Sequence, residues 1–191
     1  GGDEFFETDQ GNAKAYYYLQ SLAGNYVLHH TDTGGASSST VTDEDRYPIT
    51  GFTCNTAKSA KNGAWYNGAE FYYDRNSYDL IFINGSDKKT ESVKYGASIS
   101  GYASYAPSTP PTGMDDYVFD GWYDNEKGVG GAYDFTGKTM PAQNITLHAK
   151  WVAPVHTVTF WQDVTATTAL KTIDNIPHGD KIMAEDAPAV T

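Results

Sequence analysis

The stretch Tyr78-Asp79-Leu80-Ile81-Phe82-Ile83-Asn84 decides the fold. It is a dense run of β-forming residues, and the turn residues Gly85-Ser86-Asp87 follow it directly. Residues 88–94 read as the returning strand, and Tyr95-Gly96 closes the hairpin. The same opening recurs downstream. Residues 156–162 (H-T-V-T-F-W-Q) stand where 78–84 stood, 170–175 take the place of the returning strand, and His178-Gly179 that of Tyr95-Gly96. The offset is 78 residues at the first pair (78→156) and 83 at the second (95→178), so the second copy is longer by about five residues. A fixed long period marks a tandem array in which each repeat is one structural unit.

Between the two copies, residues 97–105 are expected to form a short helix, and 107–111 a loop. Residues 117–123 (Y-V-F-D-G-W-Y) read as a strand, with a glycine-rich hairpin loop at 128–131. Gly121 inside that strand predicts a bulge or a close backbone approach. Residues 145–151 alternate cleanly: Ile145, Leu147, Ala149 and Trp151 share one face, and Thr146, His148 and Lys150 the other. After residue 152 the opening half of the unit recurs without a counterpart of 117–151, so the chain is expected to end inside a repeat and to be a piece of a longer protein.

Upstream, residues 14–20 (K-A-Y-Y-Y-L-Q) and 26–30 read as a hairpin around the turn 21–25, and 31–40 as a Gly/Ser/Thr loop. Thr42 stands three residues before Asp45, a capping pattern for one helical turn. Residues 50–55 and 69–74 complete a four-strand set, and Arg75-Asn76-Ser77 breaks the pattern. The expected organisation is a tail at 1–11, a β module at 12–76, a complete repeat unit at 77–152 and the first half of another at 153–191. The fold class is mainly β, with α+β at the margin: small sheets of antiparallel or mixed strands.

Composition limits the function. With 24 acidic and 13 basic residues in 191, the net charge is −11, which argues against binding to nucleic-acid phosphates. The chain is 39% apolar and rich in tyrosine, enough to build a core, but it has no apolar run of the length that spans a membrane. A single cysteine, Cys54, allows neither an intrachain disulfide framework nor a cysteine zinc cluster.

Isolated motifs do not point to chemistry. Gly1-Gly2-Asp3-Glu4-Phe5 spells the letters that name diguanylate cyclases, but without the upstream strands and metal-binding acid which that chemistry requires. His29 and His30, adjacent on a strand, point to opposite faces and cannot chelate one ion. Asp43-Glu44-Asp45 lacks the spacing of a calcium loop and reads as a solvated acidic turn. Lys150 on the polar face does not favour an intramolecular lysine–asparagine crosslink, and Asn144-Ile145-Thr146 at a strand start carries little as a glycosylation acceptor. No catalytic residue, metal ligand or cofactor site is assigned.

Four pieces in order carry a family resemblance: the strand 78–84, Val93-Lys94-Tyr95-Gly96, Tyr117-Val118-Phe119-Asp120-Gly121-Trp122-Tyr123, and Tyr133-Asp134-Phe135 through Ile145-Thr146-Leu147-His148-Ala149-Lys150-Trp151. On these, residues 77–152 resemble the internalin-type B-repeat, also called the Listeria–Bacteroides repeat. More faintly, Tyr16-Tyr17-Tyr18-Leu19, Ile49-Thr50-Gly51-Phe52 and Phe71-Tyr72-Tyr73 resemble the mucin-binding-protein-like modules that precede such repeats on Gram-positive surface proteins. The resemblance implies tandem β-grasp, ubiquitin-like units with one short crossover. It also implies an extracellular, wall-attached protein of which this segment inserts no part into a membrane, and no set of catalytic residues.

Two functional expectations follow. One is an adhesin stalk whose tandem units, packed against adjacent repeats of the same chain, offer weak multivalent contact. The other is a module that binds a host or cell-wall glycan or protein through aromatics, with Tyr17, Trp65 and Tyr66 as candidate contacts. Phe119, Trp122, Tyr123 and Trp151 are expected in packing rather than in ligand contact.

Overall fold

The computed structural model describes residues 10–36 and 38–189, with the side chains of residues 10–12 and 35 left aside. The Gly1–Phe5 motif lies outside the described residues. The described residues divide into two compact units, one within 10–81, 90–103 and 134–145, the other within 82–89, 104–133 and 146–189.

In the first unit, β1 (Gln10–Gln20), β2 (Tyr26–Ala36), β3 (Phe52–Cys54) and β4 (Ala69–Arg75) form a four-stranded sheet in the order β2-β1-β4-β3. β1 pairs antiparallel with β2 and parallel with β4, and β3 closes antiparallel on β4. The expected loop at 31–40 is instead largely strand. Thr31, Asp32 and Thr33 pair with Tyr16, Ala15 and Lys14, because β1 is long enough to offer them partners and threonine suits the pleated backbone. Residues of alternating position enter the core: Ala13, Ala15 and Tyr17 from β1, and Ala69, Phe71 and Tyr73 from β4, joined by Val41 and Tyr66. The Tyr17 and Phe71 rings, paired in register, stack at 4.9 Å. The turn at Asp43–Asp45 is a single 3₁₀ turn, and the Thr42 backbone N–H donates to Asp45 Oδ2 at 2.7 Å, as the capping pattern predicts.

The expected unit beginning at residue 77 contains β5 (Ser77–Asn84), β6 (Asp87–Lys94), β7 (Val118–Tyr123) and β8 (Ile145–Val152), in the order β6-β5-β8-β7. This is the order of the first sheet over again: opening hairpin, then last strand beside the first, then third strand at the edge. It is the strand order of the β-grasp fold, repeated within one chain. The crossover expected as a short helix is a 3₁₀ turn at Ser100–Ser104. Ile99 and Met140 are fully buried, and Gly96 with Met140 and Met140 with Ala97 exchange backbone hydrogen bonds of 2.8 Å.

Within the second unit the aromatic residues expected in packing are found there. Trp122 is buried, stacks on Tyr105 at 5.5 Å, meets Phe82 edge-on at 4.8 Å, and its indole N–H donates to the Tyr105 carbonyl at 2.8 Å. Gly121, at φ +117°, sits at the predicted register shift between Phe119 and the following residues of β7, where a Cβ would come within 3.0 Å of Ala132. The recurring opening folds as β9 (Val155–Phe160) and β10 (Lys171–Pro177), a two-stranded antiparallel sheet. Val158 and Phe160, in the positions where Leu80 and Phe82 are fully buried, are only half-buried.

Candidate binding face and module junction

Three consecutive tyrosines on β1 show how strand geometry sorts candidate contacts. Tyr17 points inward and is 1% exposed, with its hydroxyl donating to the Asp45 carbonyl at 2.9 Å. Tyr18, one residue on, stands on the outer face and stacks on Tyr72 at 5.0 Å. Tyr26 meets Tyr72 edge-on at 5.2 Å, and Lys58 Nζ lies 5.1 and 5.5 Å from the Tyr26 and Tyr72 ring centres. Carboxylates hold both hydroxyls: Tyr72 donates to Glu70 Oε2 at 2.6 Å, and Tyr26 donates to Asp74, which also accepts from Asn55 Nδ2 at 3.0 Å. The bond to Glu70, with some burial, pushes Tyr72 up to about 12. The bond to Asp74 likewise raises Tyr26.

Of the three sequence candidates, only Trp65 is exposed. It is 67% exposed and borders a shallow depression lined also by Lys58, Lys61, Asn67 and Glu70. Tyr17 and Tyr66 instead belong to the core: both are buried, Tyr66 donates to Asp32, and burial raises the titration of both phenols. Lys58 and Glu70 belong to both the depression and the tyrosine ladder, so the two form one continuous surface. Sequence reasoning missed Tyr18, Tyr26 and Tyr72. The signal was present in the alternation of Tyr16-Tyr17-Tyr18, which once Tyr17 is inward must turn Tyr18 outward.

A second assembly lies where β4 passes into β5, in the first unit. Only Asn76 separates the two strands. Arg75 donates from Nε to the Gln20 carbonyl at 3.0 Å and from Nη1 to the Tyr95 carbonyl at 2.7 Å, with its guanidinium 4.8 Å from the Phe52 ring centre. The Tyr95 backbone N–H donates to the Asn76 carbonyl at 2.8 Å, and the Asn76 N–H to Gly51 at 2.9 Å. Tyr95 meets Phe52 edge-on at 5.8 Å, and Lys94 Nζ reaches the Leu22 carbonyl at 3.4 Å.

The remaining motifs have structural roles. Asn144 Oδ1 accepts from the Asp79 backbone N–H at 2.9 Å, at the entry to β8. Half-buried Cys54 lies 3.6 Å from Ser59 Oγ. Lys150 Nζ sits 4.8 Å from the Tyr123 ring centre and 3.7 Å from Asp120 Oδ2. Among the described residues, no group of three or more His, Cys, Asp or Glu is disposed to hold a metal ion, and no helix is long and apolar enough to cross a membrane.

Two small sheets of the same strand order with packed aromatics define a repeated β module. Residues 77–150 match the Listeria-Bacteroides repeat domain, which supports an internalin-type B-repeat in this stretch. Among curated proteins, Internalin H of Listeria monocytogenes serovar 1/2a is 26% identical over 174 residues, covering 84% of this chain. A protein of Evansella cellulosilytica described as a membrane protein is 32% identical over 88 residues, 46% of this chain. The chain spans 30% of the length of the first relative and 12% of the second.

Proposed function

We propose that this chain is an extracellular segment of a bacterial cell-surface protein that acts as an adhesin stalk, holding binding elements away from the wall and adding weak multivalent contact. The junction at Asn76 carries the reading. A stalk keeps its reach only if adjacent units do not hinge, and flexible linkers are the default between domains. Here one residue separates β4 from β5, and Arg75 is held by the carbonyls of Gln20 and Tyr95, which stand on either side of the module boundary expected at residue 76. This role involves no catalytic step. The full-length protein would be anchored to the wall, and residues 153–191 would open a further repeat in the array.

The test is ¹⁵N relaxation on the intact chain. Residues 13–74 and 90–100 should tumble with one correlation time, and Arg75→Ala should separate them. Two correlation times in the unaltered chain would remove the stalk reading.

The Trp65 surface favours a second reading, a glycan-binding module of mucin-binding type at 12–76. An exposed indole beside lysine, asparagine and carboxylate groups can stack on a sugar ring while the polar groups bind its hydroxyls. Host mucin-type glycan, wall carbohydrate or a host surface protein would be the partner. Glycan-array binding lost in Trp65→Ala would support it, and an unlabelled array would remove it.

A further inference from the structure

Two of the five histidines meet on the tail hairpin, in a way that neither the stalk nor the glycan reading uses. In the β9–β10 register His156 stands opposite Ile176, so His178, two residues beyond Ile176, lies diagonally across on the same face. The register is set by a bulge between Ile173 and Ile176, where Asn175 adopts φ +58°, a left-handed conformation that asparagine tolerates better than most residues. The His178 backbone N–H donates to the Pro154 carbonyl at 3.0 Å, which holds the residue against the start of β9. The result brings His156 Nε2 and His178 Nδ1 to 3.1 Å, with ring centres 5.4 Å apart and both residues exposed.

We propose that His156 and His178 form a two-imidazole clamp for a divalent transition-metal ion of the zinc class. Zinc–nitrogen bonds of about 2.0–2.1 Å that close over a 3.1 Å separation subtend about 100°, between octahedral and tetrahedral angles, so little movement admits the ion. An imidazole that ligates through Nδ1 carries its proton on Nε2, and Asp116 Oδ2 lies 3.6 Å from the His178 Nε2. That carboxylate stands on the side of the ring away from the paired nitrogens, where a small approach would let it accept the Nε2 proton as in a carboxylate–histidine–metal arrangement. Water fills the other coordination positions, so affinity lies below that of sites with three or four protein ligands. The paired nitrogens prefer zinc, nickel or copper over calcium or magnesium, which take oxygen ligands. Binding joins β9 to β10 and stabilises a hairpin that has only two strands.

The test is titration of the intact chain with Zn²⁺ alone, by calorimetry and by the imidazole resonances of all five histidines. We expect one ion per chain, joint shifts of the His156 and His178 resonances, and at least about a tenfold loss of affinity in each of His156→Ala and His178→Ala, as two ligands become one. Amide shifts of β9 and β10 in each variant, compared with those of the zinc-free chain, separate lost ligation from a lost hairpin. If hairpin shifts persist while either variant binds within twofold of the unaltered chain, the clamp is refuted. Zinc binding that tracks His29 and His30 instead refutes it equally.

Discussion

The Tyr95 ring lies against Gly51, so close that a Cβ on the glycine would fall 2.1 Å from Tyr95 Cδ1. Gly51 is also at φ +80°, where an L side chain is strained. Gly51→Ala therefore meets both backbone strain and overpacking, and should cost about 2–4 kcal/mol by urea denaturation. Tyr95→Ala in the same chain should recover part of that loss, because the clash is mutual. Strict additivity of the two substitutions would show that the contact is not close-packed in solution.

The adjacent tyrosines of β1 give a sharp contrast. Tyr17→Ala empties a core position and should cost about 3–5 kcal/mol. Tyr18→Ala removes an outer-face stacking partner and should cost under about 1 kcal/mol. Thermal denaturation of the two variants side by side decides the matter, and similar losses would mean that β1 has the opposite register.

Asn84 is the buried polar joint of the second unit. Its Oδ1 accepts from Trp151 Nε1 at 2.8 Å, and its Nδ2 donates to the Thr109 carbonyl at 2.8 Å. Asn84→Ala leaves both partners without their bonds, and should cost about 2–4 kcal/mol, with a red shift of tryptophan emission as Trp151 loosens. A loss below about 0.5 kcal/mol would show that water replaces the amide.

Alkaline pH should unfold the first unit. Tyr72 is raised from its ordinary value near 10 to about 12 by its bond to Glu70, and burial raises Tyr17, Tyr66 and Tyr73 as well. A group whose folded value is raised holds its proton more tightly when folded. Its contribution is complete below about pH 10 and is lost as pH climbs through 10 towards 12 and beyond. Urea midpoints should stay level from pH 7 to about 9.5 and then fall. Tyr17→Phe should make that fall shallower. A midpoint that is level to pH 12 would contradict the assigned phenol environments.

Local pattern was enough for most of the fold. The hairpin at 78–94, the alternation of 145–151, the turn at Thr42 and the bulge at Gly121 each follow from residue type and spacing over a few positions, and the structure has them all. Residues 31–36 went the other way: Gly and Ser favour a loop locally, but the partner strand β1 was available, and pairing with it overrode propensity. The candidate site was less legible. Aromatic identity marked Tyr17 and Tyr66 together with Trp65, but burial separates them, and burial depends on which face of β1 and which side chain of the loop before β4 packs against the core.

The sequence by itself determined a duplicated, mainly β chain whose opening hairpin recurs, because turn residues and strand periodicity act over short spans of the chain. Tertiary structure alone decided which tyrosines face solvent, how Arg75 joins Gln20 to Tyr95, and that His156 meets His178. These depend on strand register and on contacts between residues 20 to 55 positions apart in the chain, and no local pattern encodes that pairing.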